Sequence, residues 1–339
     1  MCRSLLAGIA FLLATVSASV TAAPFSNVYF FGDSLSDTGN DFILSSTLHA
    51  SDPAFPIVPA PAGYNDSGRF SNGPVYSEQL AGRLGFDLRP SLLGGTNYAY
   101  GGARSGSVIV PGSLSFAQQV EQYVGAAAAG EPGALYVLFI GSNDVEDILA
   151  GAPPGQTIAS AVGRIGTAIE TLAADGAAHF LIPNVPDLGL VPGTTGDGAV
   201  PRAPLASAAS AAFNDALAAL LDSFATLDIT AFDTFALMND AVANPPRYGL
   251  TDVQHRCQRE SGIGPDGQVQ YEVLCSDEEA ATRLFWDGFH PTTAGHRALA
   301  DALFAALEVP EPATLALLLG GILILAGTSR RATPARRAA

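Results

Sequence analysis

Four short apolar runs, separated by stretches with helical periodicity, constrain this chain more than any other feature of its sequence. The runs are VYFF at 28–31, ALYVLFI at 134–140, HFLIP at 179–183 and ITAFD at 229–233. Helix-like patterns occupy 75–84 and 115–124 between the first two, 157–174 and 205–227 between the later ones, and 294–307 at the end. A strand with one wet face alternates polar and apolar residues, whereas these runs are nearly continuous, as in a parallel sheet covered on both faces. Together with the intervening helices they predict one α/β domain over residues 24–308. Two long irregular insertions interrupt it: 41–73, rich in Pro, Ser and Gly, and 245–284, which holds both cysteines of the domain. Loops of that length tend to carry function or to move. The low-complexity GAAAAGEPG at 125–133 reads as a surface connection, and the chain has no internal repeat.

In open parallel sheets ligands bind beyond the carboxyl ends of the strands, so the residues that follow the apolar runs are the ones to examine. GDSL follows the first run at 32–35, GSND follows the second at 141–144, and WDGFHPT stands at 286–292 just before the last helix. Asp287 and His290 are three residues apart, a spacing at which a tight turn brings carboxylate and imidazole together. A serine, a histidine and an acid at the sheet rim are the parts of a nucleophile activated by a base whose tautomer a carboxylate holds. Each part has a structural rival. Ser34 can cap a helix after a strand, Asn143 and Asp144 can be turn-formers, and Asp287 can cap the last helix or pair with Arg283. His49, His179, His255 and His296 have no acid at comparable spacing within a recognisable block; His296 is expected to be an exposed or packing residue of the last helix.

The four blocks together resemble the SGNH, or GDSL-type, hydrolases over residues 28–307. The first block, G-D-S, matches Gly32, Asp33 and Ser34 and implies Ser34 as nucleophile. The second is seen in NYAYGGA at 97–103, which implies an oxyanion-binding glycine at Gly102, with Gly101 adjacent and the register open. The third, G-x-N-D, matches Gly141, Asn143 and Asp144 and implies Asn143 as an oxyanion donor. The last, D-x-x-H, matches Asp287 and His290, the implied orienting acid and base. SDTGN after the serine, RFSNGPVYSEQLA and NVPDLGLVP are similar to the longer GDSL lipase/esterase branch. The implied fold is a three-layer, flavodoxin-like α/β/α sandwich with a mostly parallel five-stranded sheet. The implied activity is ester hydrolysis through an acyl-enzyme, with backbone N–H groups of Ser34 and Gly102 and the amide of Asn143 holding the oxyanion. That chemistry needs no metal or cofactor. Gly-x-Ser-x-Gly, His-Glu-x-x-His and the P-loop are all absent from the chain, which argues against those other chemistries.

The ends carry addresses. Residues 1–22 read as a secretory signal: Arg3, the apolar LLAGIAFLLATV, then the small-residue pattern Val20-Thr21-Ala22. VPEP at 309–312, the apolar ATLALLLGGILILAG and a cluster of four arginines resemble a PEP-CTERM sorting signal of Gram-negative bacteria. That resemblance implies a short-lived inner-membrane anchor, processing by an exosortase, and a periplasmic, surface or extracellular destination; a plain membrane anchor is the rival reading. In the oxidising compartment this implies, Cys257 and Cys275 can close one loop, or remain two buried thiols; no CxxC or His/Cys cluster suggests a metal. With 48% hydrophobic and 14% charged residues the chain is too apolar to be disordered. Residues 24–308 hold 11 arginines, no lysine and 31 acidic residues, a net charge of −20. That field repels nucleic acid and anionic membrane surfaces; the resemblance to the hydrolases implies small-molecule, lipid or glycan esters as substrates. Among enzymes the alternative is an O-acetyl esterase acting on exported polysaccharide; outside them it is a binding or adhesion module on an inactive hydrolase fold.

Overall fold

The structure is a computed structural model that describes residues 25–64, 67–126, 130–196, 202–265 and 267–307. The segments read as secretory and sorting signals lie outside the described residues. In chain order the regular elements are β1 (Val28–Gly32), α1 (Asn40–Ser51), α2 (Pro61–Tyr64), α3 (Tyr76–Arg83), α4 (Phe116–Ala126), β2 (Leu135–Phe139), α5 (Ser142–Leu149), α6 (Pro154–Asp175) and β3 (His179–Pro183). There follow α7 (Pro192–Thr195), α8 (Ala203–Leu221), β4 (Asp228–Phe232), α9 (Thr234–Ala243), β5 (Asp252–Arg256), β6 (Gln258–Ile263), β7 (Val269–Val273), α10 (Asp277–Ala280), β8 (Arg283–Phe285) and α11 (Thr293–Ala306).

The main sheet is parallel, in the order β1-β2-β3-β4. Four regular strands stand where five were expected. The fifth place, beside β1, is taken by residues 96–100, an irregular segment that still makes a parallel ladder. Phe30 N donates to Thr96 O at 3.1 Å, Tyr98 N to Phe30 O at 2.8 Å and Tyr100 N to Gly32 O at 3.3 Å. On its other side Asn97 also bridges to Pro90.

Alternation along the strands distributes the layers. Phe30 and Phe139 point to the face where Tyr76 of α3 meets both rings edge-on, and α3 packs with α11 there. Phe31 points the other way, against Tyr98 and Tyr123, and Tyr136, Leu138, Phe180 and Ile182 continue that core toward α4, α6 and α8. Helix α8 buries one stripe, Ala206, Ala209, Phe213 and Leu217, at the three-to-four-residue spacing that puts side chains on one face. β4 closes the sheet as a short, half-exposed edge.

Both insertions, expected to be irregular, carry regular elements. The first holds the 12-residue α1, whose apolar pattern is weak; its start is organised by Asp37, which accepts hydrogen bonds from the backbone N–H groups of Gly39, Asn40 and Asp41. The second pairs β5 in parallel with β8 and folds 258–273 into the antiparallel hairpin β6–β7. Cys257 and Cys275 flank that hairpin and are joined as a disulfide, with 4.8 Å between their Cα atoms.

Candidate active site

The first block sits where β1 meets β2 most closely. A Cβ at Gly32 would fall 2.3 Å from Phe139 O, so only glycine fits there. The buried Gln119 of α4 holds Gly32 at both ends, accepting from its N–H at 2.9 Å and donating to its carbonyl at 2.8 Å. Asp33 then turns the chain, its carboxylate accepting from Leu35 N and its carbonyl from Ser36 N and Asp37 N. Ser34 is left on the rim, buried and lining the cavity, with Oγ 2.8 Å from His290 Nε2.

His290 arrives on a tight turn between β8 and α11. Asp287 Oδ1 accepts from the backbone N–H groups of Phe289 at 2.7 Å and His290 at 2.8 Å, and Oδ2 lies 2.7 Å from His290 Nδ1. Ser34, His290 and Asp287 therefore form one continuous hydrogen-bonded line across 256 residues of sequence. The rival roles of Asp287 are filled elsewhere. Thr292 caps α11, accepting from Gly295 N at 3.2 Å, and Arg283 reaches Asp252 at 3.4 Å.

Electrostatics favour a charged pair. Burial opposes ionisation of Asp287, but His290 and the hydrogen bonds it receives hold it below the usual carboxylate value. Burial likewise opposes the imidazolium of His290, yet Asp287, Glu146 and Asp33 outweigh it and raise His290 above the ordinary imidazole value. Asp33 itself is pushed up to about 7, chiefly by burial, and burial raises Glu146 too.

The second block is placed by residues to which the sequence analysis gave no role. Asp37 accepts from Gly101 N at 3.1 Å while holding the start of α1, and Asn40 Nδ2 donates to the carbonyls of Asn97 and Ala99, both at 2.9 Å. The two adjacent glycines differ in their surroundings. The Gly101 amide is committed to Asp37, whereas Gly102 lines the cavity beside Ser34 with φ +66°, a conformation that favours glycine. The third block locks onto the second: Asn143 Nδ2 donates to Ala103 O at 2.9 Å, and Asp144 accepts from Ser105 N at 2.9 Å and Ser105 Oγ at 2.7 Å. The Asn143 amide keeps a second N–H, and Asn143 lines the same cavity as Ser34 and Gly102.

One further residue, Tyr64, was given no role by the sequence, and His296 takes the packing alternative of the two expected for it. Tyr64 donates its hydroxyl to Asp287 Oδ2. His296, expected as an exposed or packing residue, is fully buried and stacked on Tyr76, its charged form so disfavoured by burial that its value falls to about 3. Among the described residues no cluster of three His, Cys, Asp or Glu side chains is placed to hold a metal ion.

The cavity in front of Ser34 has a volume of about 570 Å³ and mostly apolar walls. Residues 55–60 of the first insertion form one wall, Leu237, Met238 and Ala241 of α9 another, and Tyr271 of the hairpin a third.

The model of the GDSL-like Lipase/Acylhydrolase family matches residues 28–303. The chain belongs to this family. Esterase EstA of Pseudomonas aeruginosa is 30% identical over 90% of this chain and 50% of its own, so the chain spans half of EstA's length. A GDSL esterase/lipase of Arabidopsis thaliana is 26% identical over 83% of this chain and 86% of its own. Among solved structures, an acetylxylan esterase from Geobacillus stearothermophilus covers 85% of this chain and 97% of its own at 15% identity, with a TM-score of 0.46.

Proposed function

We propose that this GDSL-family member is an exported serine hydrolase that cleaves carboxylic esters with sizeable apolar acyl groups. The observation that carries this reading is the unbroken Ser34–His290–Asp287 line opening onto an apolar cavity of about 570 Å³. His290 takes the Ser34 proton as Oγ attacks the ester carbonyl, and the carbonyl π electrons move onto oxygen. The resulting oxyanion is met by the N–H groups of Ser34 and Gly102 and the amide of Asn143. Collapse expels the alcohol, protonated by His290, and leaves an acyl-serine. Water, deprotonated by His290, then releases the acid and restores Ser34. Removing one oxyanion donor from such a site typically slows turnover about 10²- to 10³-fold. Export by the leader and processing of the C-terminal segment complete the proposal and rest on the sequence.

A cavity of this size is within the range that buries a drug-sized ligand, and an acetyl group would leave most of it unfilled. The family names of EstA and the Arabidopsis relative support an esterase or lipase. The test is a chain-length series of p-nitrophenyl esters with the wild-type chain and Ser34→Ala. Wild type is expected to retain activity at eight carbons and longer, Ser34→Ala to lose essentially all of it, and the rate to fall on acidification through a midpoint above about 6.5 as His290 protonates. Activity on acetyl esters alone would move the reading to a polysaccharide O-acetyl esterase. No reaction with a fluorophosphonate probe would move it to a binding module, and substantial activity in Ser34→Ala would overturn the mechanism.

A further inference from the structure

The Asp287 carboxylate has more holders than a triad requires. Oδ2 accepts not only from His290 Nδ1 but also from the hydroxyl of Tyr64, a residue 223 positions away in the first insertion. Tyr64 is 6% exposed and ends α2, the four-residue helix of which Gly63 is also part. Its ring is set from three sides: Tyr271 of the hairpin meets it edge-on with centroids 5.4 Å apart, Phe70 at 6.0 Å and His290 at 6.5 Å. The backbone is pinned as well, because the indole N–H of Trp286, next to Asp287, donates to Gly63 O at 3.1 Å. Burial and the nearby acid raise the phenol well above its ordinary value, so it stays a donor throughout the working range.

We infer that Tyr64 is a positioning residue for the base. Its hydroxyl fixes Asp287 Oδ2 in line with His290 Nδ1 and draws off part of the carboxylate's charge, so that both insertions, through Tyr64 and Tyr271, set how strongly Asp287 supports the imidazolium. The inference rests on the proposed triad. It also explains why α2 and the hairpin are built against each other: a Cβ at Gly63 would fall 2.6 Å from the Tyr271 ring. Buried as it is, the Tyr64 hydroxyl needs a partner, and the one it has is the carboxylate oxygen that also faces His290 Nδ1. A carboxylate deprived of one donor becomes more basic and pairs more strongly with a protonated imidazole. The other groups around the pair stay in place when the hydroxyl is removed: Asp33 after β1, Glu146 on α5, Glu260 and Tyr271 on the hairpin, Arg256 at the end of β5 and His296 on α11.

The experiment is a profile of kcat and KM from about pH 5 to about pH 9 for wild type, Tyr64→Phe and Tyr271→Ala in the full chain, with active sites counted by fluorophosphonate labelling. Tyr64→Phe is expected to lower kcat on the order of tenfold with little change in KM, and to move the acid limb alkaline by roughly half a unit to one unit. Tyr271→Ala, which removes the ring that meets Tyr64 edge-on together with one wall of the cavity, should raise KM through the lost wall and shift the limb in the same direction by less, and the shift of the limb decides the matter if Tyr64→Phe does not fold. In an Asp287→Asn background, Tyr64→Phe should add no further loss. An unmoved acid limb in Tyr64→Phe and Tyr271→Ala, or a change in KM alone, overturns the inference while leaving the triad standing. Activity surviving in Ser34→Ala overturns the triad itself, and the role of Tyr64 with it.

Discussion

Asp37 and Asp41 show how a buried charge is divided between two neighbours. Asp37 collects four backbone N–H groups from Gly39, Asn40, Asp41 and Gly101, and that is where a negative charge is best held. Asp41, also fully buried, is raised by its burial and by the Asp37 carboxylate, further than burial raises Asp37, so of the two it is the one that favours its proton. Its folded value lies above the ordinary 3.8, which fixes the sign of the linkage. The contribution is complete below that ordinary value and is lost as pH rises through the folded one, with a slope of at most about 1.4 kcal/mol per pH unit. Asp41→Asn should therefore match wild-type stability near pH 4 and exceed it increasingly toward pH 8, seen as a widening gap in Tm; a constant gap would show that Asp41 is ionised in the fold. Ser34, Asp287, His290, Gly102 and Asn143 were legible as candidates because each stands in a short continuous block. Asp37, Asn40 and Tyr64 were not, because the partner that gives each its role is 57 to 223 residues away.

At the level of elements, the strands and long helices were readable from periodicity, since burial on both faces of a parallel sheet leaves apolar runs that loops do not have. The insertions were not, because their elements are held by specific bonds more than by apolar stripes: α1 by Asp37, α2 by Trp286, and the β6–β7 hairpin by a disulfide at its base. That hairpin is mostly exposed and has little core of its own. Cys257, by contrast, is fully buried and its N–H donates to Trp286 O at 2.9 Å, one residue from Asp287. Closing a loop across 18 residues is worth about 3 kcal/mol on the chain-entropy model. The double variant Cys257→Ser/Cys275→Ser should lose stability of about that size in urea. It should also lose more turnover than its remaining folded fraction accounts for, because Tyr271 and the Asp287 turn share the hairpin's base. Full activity per folded molecule would show that the hairpin and the triad are mechanically independent.

For the whole molecule, the disulfide and the two end segments proposed as leader and sorting signal make one argument about where the chain is proposed to work. Thiols stay reduced in the cytosol, and the Cys257–Cys275 bond forms where an oxidant is maintained. A net charge of −20 on residues 24–308 favours solubility. Expressed in a Gram-negative host that carries an exosortase, the full chain is expected outside the cytoplasm. Its first residue should lie close to Ala23, its mass should lack the segment beyond about residue 309, and no thiol should be free to alkylate. A chain begun at Pro24 with an initiator methionine should stay inside with both thiols reactive, and should melt at a lower temperature until it is oxidised. Recovery of the full chain from the cytoplasm with Met1 intact and its thiols reactive would refute export, and recovery outside with the C-terminal mass complete would replace the sorting signal by a retained anchor.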